Sequence, residues 1–145
     1  MNDGPVLDGL NLVVGDMETT VRFYRDLGIS IPDDSIWRTA SGPHHVTVKL
    51  PGGADLDLDS HELARVYNAG WEGSGSPGVI GFRVATRDTV DSTYKRLVTA
   101  GHRGLQEPWD AFWGARYAIV EDPDGRHVGL MSPSDPKRRT APPSI

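Results

Sequence analysis

Apolar and small or polar positions alternate along residues 9–14, after which Met17, Val21, Tyr24 and Leu27 recur at helical spacing. That change of period predicts a half-buried strand followed by an amphipathic helix. Asp16 is placed to cap the helix and Gly28 to stop it. Further strands are expected at about 35–40, 44–50 and 54–59, with Pro51-Gly52-Gly53 as a tight turn between the last two. The same succession then returns. A strand at 79–85 precedes a helix whose apolar face carries Val90, Tyr94, Leu97 and Val98 and which ends at Gly101. Strands at about 103–107, 115–121 and 126–131 follow, the last two joined by Asp122-Pro123-Asp124-Gly125. A short helix near 60–68 and the segment GWEGSGSPG, residues 70–78, connect the two sets.

The repetition extends to individual residues. Residues 10–27 lie on 80–97 at an offset of 70, so that Leu10, Leu12 and Val14 meet Ile80, Phe82 and Val84, and Tyr24, Arg25 and Leu27 meet Tyr94, Lys95 and Leu97. PGGADLDLDS at 51–60 lies on PDGRHVGLMS at 123–132 at an offset of 72. Two blocks in the same order, separated by a drift of two residues, are the mark of a duplication with one loop insertion. The chain therefore reads as an α+β domain over residues 1–132, built of two tandem βαβββ modules at about 7–60 and 78–132 with a linker at 61–77. Residues 133–145 are rich in proline and polar side chains and are expected to be a disordered tail.

Composition narrows the function classes. With 37% hydrophobic and 24% charged residues, the chain is of ordinary globular type. The absence of cysteine removes disulfides, zinc ribbons and thiol catalysis. A net charge of −5 without a basic face speaks against nucleic acid. No apolar run approaches the length of a membrane span, and MNDGPVLDG lacks an export signal, so a cytoplasmic protein is expected. His61-Glu62-Leu63-Ala64-Arg65 has Arg65 where a zincin helix needs its second histidine, and Gly73–Gly78 lacks the Gly-Lys-Ser/Thr of a phosphate loop.

A duplicated βαβββ unit with the βα boundary LVVGDMETTVRFYRDLG and the terminal hairpin VEDPDGRHVGLMSP resembles the vicinal oxygen chelate superfamily. That group holds glyoxalases, extradiol dioxygenases and bleomycin-resistance proteins, and the likeness covers about residues 7–132. It implies a curved, cup-shaped sheet with helices on the outer face. Its metal-dependent members place ligands on the first and last strands of each half, which here correspond to Gly9, Asp57, Val79 and Gly129. Of these only Asp57 offers a ligand atom. Shifting the register by two residues brings in Asn11, Asp55 or Asp59, Gly81 and His127 instead. No family-type metal site and no cofactor are expected, the alternative being a divalent metal at an atypical site formed by Asp57, His127 and His45.

Strand alternation sorts the side chains. If Leu56 and Leu58 pack against a helix, then Asp55, Asp57 and Asp59 face the cup, together with Asn11 and Val13, with His45, Thr47 and Lys49, with Arg83, and with His127 and Met131. Trp37, Trp109, Phe112 and Trp113 add aromatic surface from the loops. The candidate binding residues are thus Asn11, Trp37, His45, Asp57, Arg83, Trp109, Trp113 and His127, with Arg83 the expected partner of the aspartates. A solvent-facing edge is the competing account of three alternating aspartates. Sealing the barrel end competes with ligand stacking for Trp109 and Trp113. The resemblance, with its ligand positions mostly lost, implies capture of an aromatic or cationic small molecule without chemistry. The alternative is a glyoxalase-like lyase or isomerase, or a dioxygenase, working through an atypical metal or through Asp57 and Arg83. Relatives of this size often build their cups across a homodimer, so a homodimer is the expected assembly.

Overall fold

In the computed structural model, which describes residues 4–27, 29–73, 78–121 and 125–145, the two halves build one sheet of eight strands. The first module comprises β1 (Val6–Val13), α1 (Met17–Leu27), β2 (Trp37–Thr39), β3 (Gly42–Lys49) and β4 (Asp55–Asp59). The linker carries α2 (His61–Tyr67). The second module repeats the first as β5 (Gly78–Arg83), α3 (Arg87–Thr99), β6 (Gly104–Asp110), β7 (Arg116–Glu121) and β8 (His127–Met131). Each helix begins on a side-chain cap. Asp16 accepts from the Thr19 amide at 3.1 Å, Ser60 from Leu63 at 3.1 Å and Thr86 from Thr89 at 3.1 Å. Gly28, the expected stop of α1, lies outside the described residues, as do most of the 122–125 turn and residues 74–77 of the linker. The strand expected from residue 35 begins at Trp37, because Asp33–Ser35 closes into a 3-10 turn.

The strand order is β2-β3-β4-β1-β5-β8-β7-β6, so each module contributes four adjacent strands and the halves join along the antiparallel pair β1–β5. Leu10 and Ile80, equivalent in the duplication, are direct partners in that pair and mark the pseudo-twofold axis. Met17 and Val21 of α1 pack with Val46, Val48, Leu56 and Leu58 on the convex face of the first module. Val90 of α3 packs with Ala118 and Leu130 on the convex face of the second. Two helices therefore cover the outer face as expected. The short helix α2 does the opposite, since its Leu63 and Tyr67 pack with Val79, Tyr117 and Ile119 on the concave side. The second half of the cup is filled from within, and open space remains over the first half and the centre.

Residues 133–145, whose composition suggested disorder, lie against the body instead. The Asp135 amide donates to Gly114 O at 3.0 Å, the Thr140 amide to Phe112 O at 3.0 Å, and the Thr39 hydroxyl to Ile145 O at 2.6 Å. Composition reports only that this segment cannot make a core of its own; its backbone groups find partners on the 111–114 loop. Gly114 permits that approach. Its φ is 95°, and a Cβ there would meet Asp135 O at 2.4 Å. No helix among the described residues is long and apolar enough to cross a membrane.

Candidate functional site

The concave face encloses a cavity of about 670 Å³, between β1, β3 and β4 on one side and the 112–117 segment and the C-terminal residues on the other. Strand parity delivers the polar side. Asn11, His45, Thr47, Asp55, Asp57 and Asp59 all line it, as the alternation of β1, β3 and β4 requires. His44, one residue out of phase with His45, points the other way and is buried, with Ser60 Oγ 2.8 Å from its Nδ1.

Asp59 is the structural node of this side. It is 1% exposed, and its carboxylate receives Asn11 Nδ2 at 3.0 Å, the Tyr67 hydroxyl at 2.8 Å and His45 Nδ1 at 2.5 Å. Three donors, one of them able to carry charge, satisfy a carboxylate that would otherwise be too costly to bury. Burial alone would lower the His45 imidazole, but the hydrogen bond to Asp59 and the charges of Asp59 and Asp57 outweigh it and hold it above its ordinary value. Its other nitrogen, Nε2, lies 3.0 Å from Thr47 Oγ1. Burial raises the Tyr67 phenol well above its ordinary value, and the Asp59 charge adds to the effect, so the phenol acts as a donor.

Asp57 stands in a different position. Its Oδ1 is buried and, among the described residues, has no hydrogen-bond partner. Burial raises its carboxyl from 3.8 to about 6, with His45 and Thr47 opposing and the neighbouring aspartates adding to the rise. A carboxylate aimed into a cavity with an oxygen unused is what a binding or proton-transferring group looks like.

The far wall is aromatic. Trp37, Phe112, Trp113 and Tyr117 follow one another at ring-centroid separations of 6.4, 5.1 and 5.4 Å, the last two contacts edge to face. Trp113 Nε1 points to Met131 Sδ at 3.3 Å, which fixes the indole. The floor between the two walls is bare backbone, because Gly9, Gly81 and Gly129 stand side by side in register across β1, β5 and β8.

Of the eight residues picked from the sequence, Asn11, Trp37, His45, Asp57 and Trp113 line this cavity, and Arg83, Trp109 and His127 do not. Arg83 ends β5 and pairs with Asp8 at 2.9 Å rather than with the aspartates of β4. His127 has the expected face but sits in the filled half of the cup, where Asn68 of the linker meets its Nδ1 at 2.8 Å and burial lowers its pKa. Trp109 stands behind Trp113, edge to face at 5.8 Å, and supports the wall without being part of it. Tyr67, Tyr117, Arg139 and Thr140 line the cavity and were not among the candidates. Tyr117 was legible, sharing the inward phase of β7 with Ile119. The tail residues carried no local signal.

The family model described as the glyoxalase/bleomycin resistance protein/dioxygenase superfamily matches residues 6–130. The chain belongs to this superfamily. Solved structures with the same fold include a glyoxalase/bleomycin resistance protein/dioxygenase superfamily member from Vibrio splendidus 12B01, at 16% identity and TM-score 0.59, covering 90% of this chain and 100% of that one. A methylmalonyl-CoA epimerase from Mycobacterium tuberculosis aligns at 20% identity and TM-score 0.57, covering 89% and 88%. A structure described as an NAD-dependent benzaldehyde dehydrogenase from Legionella pneumophila aligns at 18% and 0.61, covering 85% and 96%. At these identities the likeness shows the fold alone. No curated protein is matched by sequence.

The metal set implied by other members of the superfamily does not fit the residues present here. Gly9, Val79 and Gly129 bring no donor atom to the positions the resemblance assigns. Among the described residues no three His, Asp or Glu side chains are grouped to hold an ion. His127 in particular lies under the linker, apart from the Asp57 cavity.

Proposed function

We propose that this superfamily member captures a small planar molecule bearing a cationic or hydrogen-bond-donating group, reversibly and without chemistry, in the cavity at Asp57. The observation that carries the reading is the buried Oδ1 of Asp57, without a hydrogen-bond partner among the described residues, opposite an aromatic wall. A donor on the ligand would satisfy that oxygen, while indole and phenyl faces hold flat rings and cations. The volume of about 670 Å³ falls in the range of small-molecule sites. Cytoplasmic residence and assembly as a homodimer belong to the same proposal, with Val6, Leu7 and Leu10 of β1 as exposed apolar side chains available to a second copy.

Titration with the planar diaminoacridine cation proflavine, read by quenching of tryptophan fluorescence, tests it. Saturable quenching by the wild type is expected, weakened about fivefold in Asp57→Asn at pH 8. Binding indifferent to that substitution removes Asp57 from the site. One observation favours a second reading. A carboxyl with a pKa of about 6 is poised for general acid–base work on a bound substrate, as a lyase or isomerase would need. Chemical change of a bound compound, followed by NMR and abolished in Asp57→Asn, would establish that alternative.

A further inference from the structure

The charged side chains around the cavity are almost all matched. Asp8 meets Arg83 at 2.9 Å, Asp55 meets Lys49 at 2.7 Å, and Asp59 meets His45 at 2.5 Å. Two charged groups of the lining remain, Asp57 on β4 and Arg139 from the C-terminal segment. Among the described residues the Arg139 guanidinium has no carboxylate partner, whereas its neighbour Arg138 faces Asp135 at 3.8 Å. The backbone carrying Arg139 is held on both sides. Asp135 is fixed to Gly114, and its carboxylate accepts from the Lys137 amide at 2.9 Å. Beyond Arg139, Thr140 is tied to Phe112. Arg139 is exposed, and its side chain starts out across Gly114, where a Cβ would lie 3.1 Å from Arg139 Cγ.

We infer that Arg139 is an anion-binding group of this cavity, and that the ligand is amphoteric, with a donor group for Asp57 and an anionic group, such as a carboxylate, for Arg139. The inference rests on the capture reading above and deepens it by adding the second charge. A ligand with only a cation leaves Arg139 unmatched. One with both groups completes the pairing of every charged side chain in the lining. Arg suits the task because its planar fork can hold a carboxylate through two parallel bonds.

Two fluorescent aminoxanthene dyes decide it: rhodamine with its free carboxylate, and the methyl ester of the same dye. Each is titrated against the full chain at pH 8 and followed by anisotropy. The wild type is expected to bind the acid about fivefold more tightly than the ester, the effect of a partly exposed ion pair. Arg139→Gln should bring the two affinities within about twofold of each other, while Arg138→Gln leaves the preference intact. Binding of the ester with no preference for the acid overturns the inference and leaves the capture reading standing. A preference that survives Arg139→Gln, or falls equally in Arg138→Gln, also overturns it. Binding of neither dye overturns the capture reading and this inference together.

Discussion

Asp57 holds a carboxyl whose burial lifts its pKa from 3.8 to about 6, and Asp57→Asn measures what that burial costs the fold. A group whose folded pKa is raised contributes stability below its unfolded pKa and loses that contribution as pH rises through the folded one. At about 1.4 kcal/mol per pH unit, the rise to about 6 amounts to about 3 kcal/mol withheld from the wild type above pH 7. Asparagine mimics the neutral carboxyl at every pH but adds amide hydrogens that need partners, which reduces the expected gain to about 2 kcal/mol. In a domain of this size that is a rise in melting temperature of about 4–8 °C at pH 8. Urea denaturation of both proteins at pH 8 and pH 4.5 is the assay, and the gain should shrink to about 1 kcal/mol or less at the lower pH. A gain of stability with a loss of affinity is the trade expected of a site group. An Asp57→Asn protein that is no more stable at pH 8, or whose gain is unchanged at pH 4.5, would refute the claim that the carboxylate is held desolvated in the cavity.

Three further outcomes follow from the same geometry. Gly81→Ala should fold normally, because a Cβ there meets only Gly9 O at 3.4 Å. It should nevertheless weaken proflavine binding by about threefold or more, since the methyl stands on the cavity floor; unchanged binding would mean that flat ligands do not use that floor. Trp113→Ala should abolish saturable quenching, whereas Trp109→Ala should mainly lower stability, by about 3 kcal/mol, because it removes the support behind the wall; denaturant melts and dye titration of both variants separate the two effects. Asp59→Ala leaves Asn11, His45 and Tyr67 without their shared acceptor and should cost about 3–5 kcal/mol, read as a lowered urea midpoint.

The duplicated order of strands and helices, the cap at Asp16, and the inward set Asn11, His45, Asp57 were all contained in the sequence. Each depends on a local period or on a bond closed within a few residues, and a strand's alternation fixes a side chain's face without reference to the rest of the chain. Which part of the concave face stays open was decided only by tertiary packing. His127 has the inward phase of β8, yet α2 and Asn68 fill its half of the cup. Arg83 has the inward phase of β5, yet Asp8, 75 residues away, pairs with it at the strand end. Trp109 and Trp113 are alike in sequence and differ only in which stands in front. Tyr67 and Arg139 enter the cavity from segments whose own patterns do not mention it, one through a bond to Asp59, eight residues before it in the chain, the other through a backbone held at Gly114 and Phe112. Periodicity is a property of neighbours along the chain, whereas occlusion and ion pairing belong to neighbours in space, and only the folded chain brings those together.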